Sequence, residues 1–527
     1  MKKLLVFILL FSQSVYSFEN NESVGEIINK MPIDKKVGQL FIFGFTGSKY
    51  EQSLKKQLNE LHPGAVIVFG RNIKTLNQVK NLNQKAQNDS LKNSKVPLLI
   101  AVDQEGGKVI RIKTSPSLPS ARTLALTDNE SLVQDAGYVT GQLLTSLGFN
   151  MNLAPVVDIS NANYTDFLGN RSFSDQKEIV NKMSTAFSKG LIDAGVLPTA
   201  KHFPGHGGVK TDSHLKTPYK QITLTELLFT DLAPYKEMQN NRIPFAIMAS
   251  HISYPLIDKS QRPASFSPLL LKNILRKGLG FEGILLTDDI QMGGARMNRM
   301  SIGERAVQAI LAGNDLIMVG WNHRVQRKAV KAVIKAVKEG RVSEKRLNES
   351  LHRLISYKMQ FYQKNKNISL KKSLAKIPLK KTYDRIFHEV IENQTPSIGI
   401  IGKSIDVYSY SWRFLTSYKK QLKSRLYHLK NFNNWKRSKK TDTIIYHLSG
   451  PVTAKILRKA PSEIKKKTVV INSSSQIFIK NEDVYKKVIN IHSYHPRLGG
   501  FAAYYLKSKS ENNVELRGPA STESNTF

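Results

Sequence analysis

Gly283-Ile284-Leu285-Leu286-Thr287-Asp288-Asp289 is the stretch on which the fold reading turns. Its apolar residues run without alternation, as in a strand buried on both faces of a parallel sheet. Two adjacent carboxylates at the exit of such a strand are costly unless used or paired. Working outward, seven more runs share the character: Gln39–Phe45, Ala65–Gly70, Pro97–Asp103, Met151–Asp158, Leu197–His202, Phe245–Ser250 and Asp315–Gly320. Segments of helical period lie between several of them, at Glu130–Leu147, Glu178–Ala194, Glu226–Met238, Leu269–Gly278 and Ile302–Ala312. Gly195 follows the second as a C-cap would. Eight such strands predict a closed parallel barrel. No G-x-G-x-x-G or G-x-x-x-x-G-K-[ST] turn occurs to argue for an open nucleotide-binding sheet. In a barrel, chemistry collects at the C-terminal ends of strands. Asp103, Asp158, Lys201-His202, His251 and Asp288-Asp289 all sit there.

The chain has 527 residues, 40% hydrophobic and 23% charged, which excludes a disordered polyelectrolyte and a membrane bundle. Cys is absent, so disulfides, thiolate metal sites and Cys nucleophiles are excluded with it. Lys2 and Lys3 precede an apolar run, Leu4 to Phe11, and Val15-Tyr16-Ser17 ends in a small residue. That order predicts a secretory signal over 1–17 and an exported, periplasmic or secreted protein. The run is too short for a bilayer core needing about 20 residues, so no membrane span is expected. The net charge is +38, from Lys+Arg 79 against Asp+Glu 41. An exported chain meets anionic envelope polymers rather than nucleic acid. Ser411 to Lys440 holds ten basic residues and no acidic one, with Trp412, Tyr418, Tyr427 and Trp435 interleaved. This is either a polyanion-binding surface or a solvated face.

The predicted class is α/β: a TIM-type (β/α)8 barrel over 18–362, then a smaller αβ sandwich over 397–506. Arg327–Lys338 and Ser343–Tyr362 read as basic helices, and 363–396 as a basic linker with its lysine-rich part at Lys364–Lys381. Ser397–Ile401, Thr443–Leu448, Thr468–Asn472 and Val488–His492 read as strands of the second domain. The tail over 507–527 is expected to be disordered.

The most informative motif is Lys201-His202-Phe203-Pro204-Gly205-His206-Gly207-Gly208-Val209-Lys210-Thr211-Asp212-Ser213-His214. His202 and His206 are four apart, but Pro204 and Gly205 break the helix that would aim both at one metal. Asp212-x-His214 supports another role: a carboxylate two residues away orients an imidazole and stabilises its charged form, making a proton donor near neutral pH. Of the two adjacent carboxylates, a helix N-cap role suits Asp289 better than Asp288.

These stretches, with Ala101-Val102-Asp103-Gln104-Glu105-Gly106-Gly107-Lys108-Val109, resemble glycoside hydrolase family 3 over about residues 30–345. They are most similar to its NagZ-type β-N-acetylglucosaminidase branch, although Lys108 stands where that branch often has Arg. The resemblance implies Asp288 as nucleophile, His214 as acid/base and Asp212 as its partner. It also implies that Asp103, Arg111, Arg171, Lys201 and His202 hold the terminal sugar. Met292, closing the T-D-D-x-x-M run, joins them as a substrate-binding candidate. The implied reaction is retaining hydrolysis of terminal GlcNAc from peptidoglycan or chitin-type fragments, with no metal or cofactor. A family 3 β-glucosidase or xylosidase is the first alternative, disfavoured by the D-S-H loop. A catalytically idle wall-binding protein is the second, and phosphate could replace water as acceptor.

Overall fold

The structure, a computed structural model, describes residues 23–161, 168–209, 217–297, 300–369, 376–394, 405–409, 411–419, 424–429, 438, 441–474, 484–493, 495, 498–499 and 501–503. The expected signal, the Asp212–His214 motif, the strand at Ser397–Ile401, much of the basic stretch and the tail lie outside these residues.

Eight strands form the first sheet: β1 (Phe41–Phe43), β2 (Ala65–Ile67), β3 (Leu99–Val102), β4 (Met151–Asn152), β5 (Leu197–Phe203), β6 (Ala246–Ala249), β7 (Leu285–Thr287) and β8 (Ile317–Val319). Each pairs in parallel with the next up to β7, and β1 pairs with β8 (Ile42 opposite Met318). The ring closes where Leu286 bridges Leu316 and the Thr287 N–H donates to the Leu316 carbonyl at 3.1 Å. Every residue of these strands is buried. That is why their sequences lack alternation: the side chains face either the barrel interior or the surrounding helices. Burying each Leu, Ile or Phe contributes roughly 1.5–3 kcal/mol.

The helical ring follows the same logic. Helices Glu130–Ser146 and Lys177–Asp193 cross closely because glycines face each other. A methyl on Gly137 would lie 2.2 Å from the Phe187 carbonyl oxygen, and one on Gly190 would lie 2.1 Å from that of Gln134. The single helix expected over Glu226–Met238 is two, Leu224–Phe229 and Ala233–Asn240. Pro234 lacks an N–H and fits only a first helical turn, so it starts the second.

Within the expected linker 363–396, Glu344–Ser369 runs on as one helix and Leu379–Gln394 forms another. The latter buries Tyr383, Ile386, Phe387, Val390 and Ile391, so its half of the segment is a packed element rather than a connector. It splints the two domains. The Tyr383 and Thr140 hydroxyls bond at 3.0 Å, and Asn129 Nδ2 donates to Glu389 at 2.7 Å. On the other side, Gln394 Nε2 donates to the Asn490 carbonyl at 2.7 Å and its Oε1 accepts from the Asn490 N–H at 2.8 Å.

Among its described residues, the second domain holds a parallel five-stranded sheet, order β10-β9-β11-β12-β13. Its strands are β9 (Ile405–Ser409), β10 (Arg425–His428), β11 (Thr443–Leu448), β12 (Thr468–Asn472) and β13 (Lys487–Asn490). β11 and β12 match the expected strands Thr443–Leu448 and Thr468–Asn472, and β13 overlaps the expected Val488–His492; β9 and β10 were not anticipated, and β10 lies inside the basic stretch. Among the described residues, no helix is long and apolar enough to cross a membrane.

Candidate active site

The polar residues expected at strand ends converge at the C-terminal mouth of the barrel. Asp103 follows β3 and Lys201 lies near the C-terminal end of β5; Lys201 Nζ reaches Asp103 at 3.1 Å and Glu105 at 2.5 Å. Arg171 grips Glu105 in a fork, Nε at 2.8 Å and Nη2 at 3.0 Å, and Arg111 Nη2 reaches Asp103 at 3.5 Å. Lys201 and Glu105 are buried, whereas Asp103, Arg111 and Arg171 keep part of their surface in the mouth. Burial alone would raise the Glu105 carboxyl, but Arg171 and Lys201 hold it well below the ordinary carboxylate range. Burial alone would depress Lys201, but Glu105 and Asp103 push it up instead. Glu105 and Lys201 are therefore each held in the charged form by the other, and Arg171 is held charged by Glu105 beside it.

The motif reading does not mark Glu105 as a site residue. Its signal was available: Asp103 and Glu105 are two apart after a strand, which places both side chains on one face of extended backbone.

A second cluster fixes the K-H-F-P-G-H segment. Asp158 Oδ1 accepts the N–H groups of His202 (3.2 Å) and His206 (2.7 Å), and its Oδ2 pairs with His202 Nδ1 at 2.7 Å. Burial would raise the Asp158 carboxyl, yet His202 and His206 bring it down to about 2. Burial, with His202 alongside, pushes His206 down to about 4. One carboxylate thus ties down the His202 ring and the backbone of both histidines. Gly207 lies where a methyl would stand 1.8 Å from the Ile159 carbonyl oxygen, so the loop closes onto the β4 exit only with glycine there.

At the β7 exit the two aspartates diverge. Asp289 faces the scaffold: its Oδ1 accepts the Gln291 N–H at 3.0 Å and its Oδ2 the Gly320 N–H at 3.1 Å. Asp288 is half-buried, with Oδ1 accepting the Asp289 N–H at 2.8 Å. Buried His251 sits beside it, Nε2 on the Asp289 carbonyl (3.0 Å) and Nδ1 on the Ser265 hydroxyl (2.7 Å). A carbonyl can only accept, so Nε2 carries the proton, and burial keeps this imidazole neutral. Met292 is half-buried at the end of the turn, its N–H on the Asp289 carbonyl at 2.9 Å.

Asp212 and His214 lie outside the described residues, but both ends of their loop are placed. Val209 is buried at one end, and at the other Thr217 Oγ1 donates to the Gly294 carbonyl, just past the Asp288 turn, at 2.8 Å. His214 is three residues from Thr217, a reach of at most about 10 Å.

Among the described residues, the barrel mouth thus holds a polyionic cradle and, at the exit of another strand, the half-buried Asp288 carboxylate.

Residues 32–357 match the glycosyl hydrolase family 3 N terminal domain. A beta-hexosaminidase of Haemophilus influenzae is 37% identical over 279 residues, 52% of this chain and 77% of that one. A family 3 beta-N-acetylglucosaminidase from a Paenibacillus species superposes with TM-score 0.77 at 26% identity, over 91% of this chain and 97% of that one. Native NagZ from Neisseria gonorrhoeae superposes with TM-score 0.50 at 29% identity, over 60% of this chain and 97% of that one. The barrel, the strand-end cradle and these likenesses agree: the chain belongs to glycosyl hydrolase family 3.

Proposed function

We propose that this glycoside hydrolase is a β-hexosaminidase, and more narrowly an exported, retaining exo-β-N-acetylglucosaminidase acting on peptidoglycan or chitin-type fragments. The observation that carries the reading is the cradle of Asp103, Glu105, Lys201, Arg171 and Arg111 at the same barrel mouth as Asp288. In this account Asp288 attacks the anomeric carbon and forms a covalent glycosyl-enzyme. His214, charge-stabilised by Asp212, protonates the leaving oxygen and then takes the proton from the attacking water. Asp103, Arg111, Arg171, Lys201 and His202 hold the terminal sugar, and Met292 packs beside it. The apolar run Leu4–Phe11 supports export, and the basic Ser411–Lys440 stretch supports retention near anionic wall polymers.

The test compares hydrolysis of aryl β-GlcNAc and aryl β-glucoside by the wild type and Asp288→Ala. A strong GlcNAc preference that the substitution abolishes supports the reading; glucoside preference moves the chain to the β-glucosidase branch. Retention on wall material that is unchanged by salt and by neutralising the basic stretch removes the wall-binding part.

A further inference from the structure

The barrel wall behind the cradle is contacted from the second domain. The segment Ile491-His492-Ser493, just after β13, reaches across from the second domain onto three barrel residues, Ser120, Thr123 and Asn170. The His492 carbonyl accepts from Asn170 Nδ2 at 2.6 Å and from the Ser120 hydroxyl at 3.2 Å. The Ser120 N–H donates to Ser493 Oγ at 3.0 Å, and Thr123 Oγ1 donates to the Ile491 carbonyl at 2.6 Å. Asn170, Ser120, Thr123, His492 and Ser493 are all buried.

The barrel residues of this junction adjoin the sugar cradle. Asn170 precedes Arg171, whose guanidinium forks onto Glu105. Ser120 and Asn170 also form the wall behind the Glu105-Gly106-Gly107 turn. A methyl on Gly107 would lie 2.7 Å from Ser120 Cβ and 3.1 Å from Asn170 Nδ2. The contact therefore backs both sides of the Glu105–Arg171 pair. His492 has φ +56°, in the left-handed region that disfavours residues other than glycine. Such a conformation persists where surrounding structure over-determines it, and here it presents a carbonyl to two donors next to a candidate binding site. NagZ of Neisseria gonorrhoeae is matched over 97% of its length by 60% of this chain, which leaves it no second domain of this size.

We infer that the second domain acts as a brace: Ile491-His492-Ser493 positions Arg171 and Glu105, through Asn170 and Ser120, for binding the terminal sugar. Asn170 and Thr123 are positioning residues in this account, because they reach the ring only through their neighbours. The inference rests on the sugar-binding role proposed above for the cradle.

The test uses the full chain. Thr123→Val removes a hydroxyl at constant shape, Asn170→Ala removes the donor beside Arg171, and Thr123→Ser keeps the hydroxyl as the rescue. Binding of free GlcNAc by calorimetry is read beside KM and kcat on aryl β-GlcNAc. Loss of one buried hydrogen bond corresponds to about a fivefold effect. The brace predicts GlcNAc affinity weakened about fivefold in Asn170→Ala and Thr123→Val, with KM rising alongside. It predicts kcat changed less than KM, an unmoved pH profile, and wild-type values in Thr123→Ser. Wild-type GlcNAc affinity in folded Asn170→Ala and Thr123→Val overturns the brace. So do equal losses in Thr123→Ser and Thr123→Val, which would make position 123 a matter of packing. A wild type that binds no GlcNAc and turns over no β-GlcNAc fails the functional reading instead, so the two failures are distinguishable.

Discussion

Glu105→Gln is the substitution whose consequences follow most directly from the geometry. The two side chains have nearly the same shape, so packing is preserved while the charge is removed. Glu105 is 6% exposed and bonds Lys201 at 2.5 Å and Arg171 at 2.8 and 3.0 Å. Its loss leaves buried Lys201 with Asp103 alone and Arg171 without its fork. Breaking a buried pair by removing one partner costs about 3–5 kcal/mol, and the surviving Lys201–Asp103 contact puts this case near 3. At about 2.1 cal/mol/K per residue, unfolding a barrel of this size carries an entropy near 0.7 kcal/mol/K, so Tm should fall by about 4 °C. A guanidinium free to shift by an ångström should reduce kcat/KM about 100-fold. The acid limb carries a further signature. A carboxyl held below its unfolded value of 4.5 contributes stability that is present above that pH and lost as pH falls through and below it. Glu105→Gln should therefore flatten the decline of stability on acidification. Denaturant titrations at pH 7 and below pH 4.5, beside steady-state kinetics, make the comparison. Stability within about 0.5 kcal/mol of wild type together with full activity would refute the reasoning.

His214→Ala should cost disaccharide substrates about 100-fold or more while sparing aryl glycosides with good leaving groups, since general acid catalysis matters in proportion to leaving-group basicity. Equal losses on both would remove His214 from the acid role. Gly207→Ala sets a methyl 1.8 Å from the Ile159 carbonyl oxygen, so the loop must back away and kcat/KM should drop at least about tenfold; unchanged kinetics would contradict that placement. Lys358 is fully buried with Nζ on Gln39 Oε1 at 2.6 Å, and burial pushes it down to about 7. Between that value and 10.5 the unfolded chain binds the extra proton, so stability should rise with pH across this window and be least below it. Lys358→Met should gain about 2 kcal/mol at pH 6 and lose that dependence, and parallel Tm–pH curves for the two proteins would contradict it.

The barrel was legible because strands buried on both faces carry their signature within a few consecutive residues. Leu285–Thr287 and Leu197–Phe203 are apolar or strand-end polar throughout, with helical period between strands. The boundaries were less legible: Met151–Asp158 reads as one run, but β4 keeps only Met151–Asn152. The apolar spacing Tyr383, Ile386–Phe387, Val390–Ile391 is a helix signal, yet the lysine density before it reads as a connector. Asp288 and Asp289 differ by which backbone groups surround them, and only their local environment was open to argument from sequence. Least legible was the brace, since Ser120 and Ser493 are 373 residues apart and neither carries a motif. Long-range hydrogen bonds between ordinary serines leave no local pattern.

The central claim is that Asp288 becomes covalently bonded to the sugar. The direct measurement is intact and peptide mass spectrometry after incubation with a 5-fluoro-N-acetylglucosaminyl fluoride, which forms a glycosyl-enzyme faster than water releases it. The account predicts a mass increase of one fluorinated GlcNAc unit on the peptide containing Asp288, and none in Asp288→Ala. Label on a different carboxylate, or turnover through an oxazoline product with no protein adduct, would contradict it.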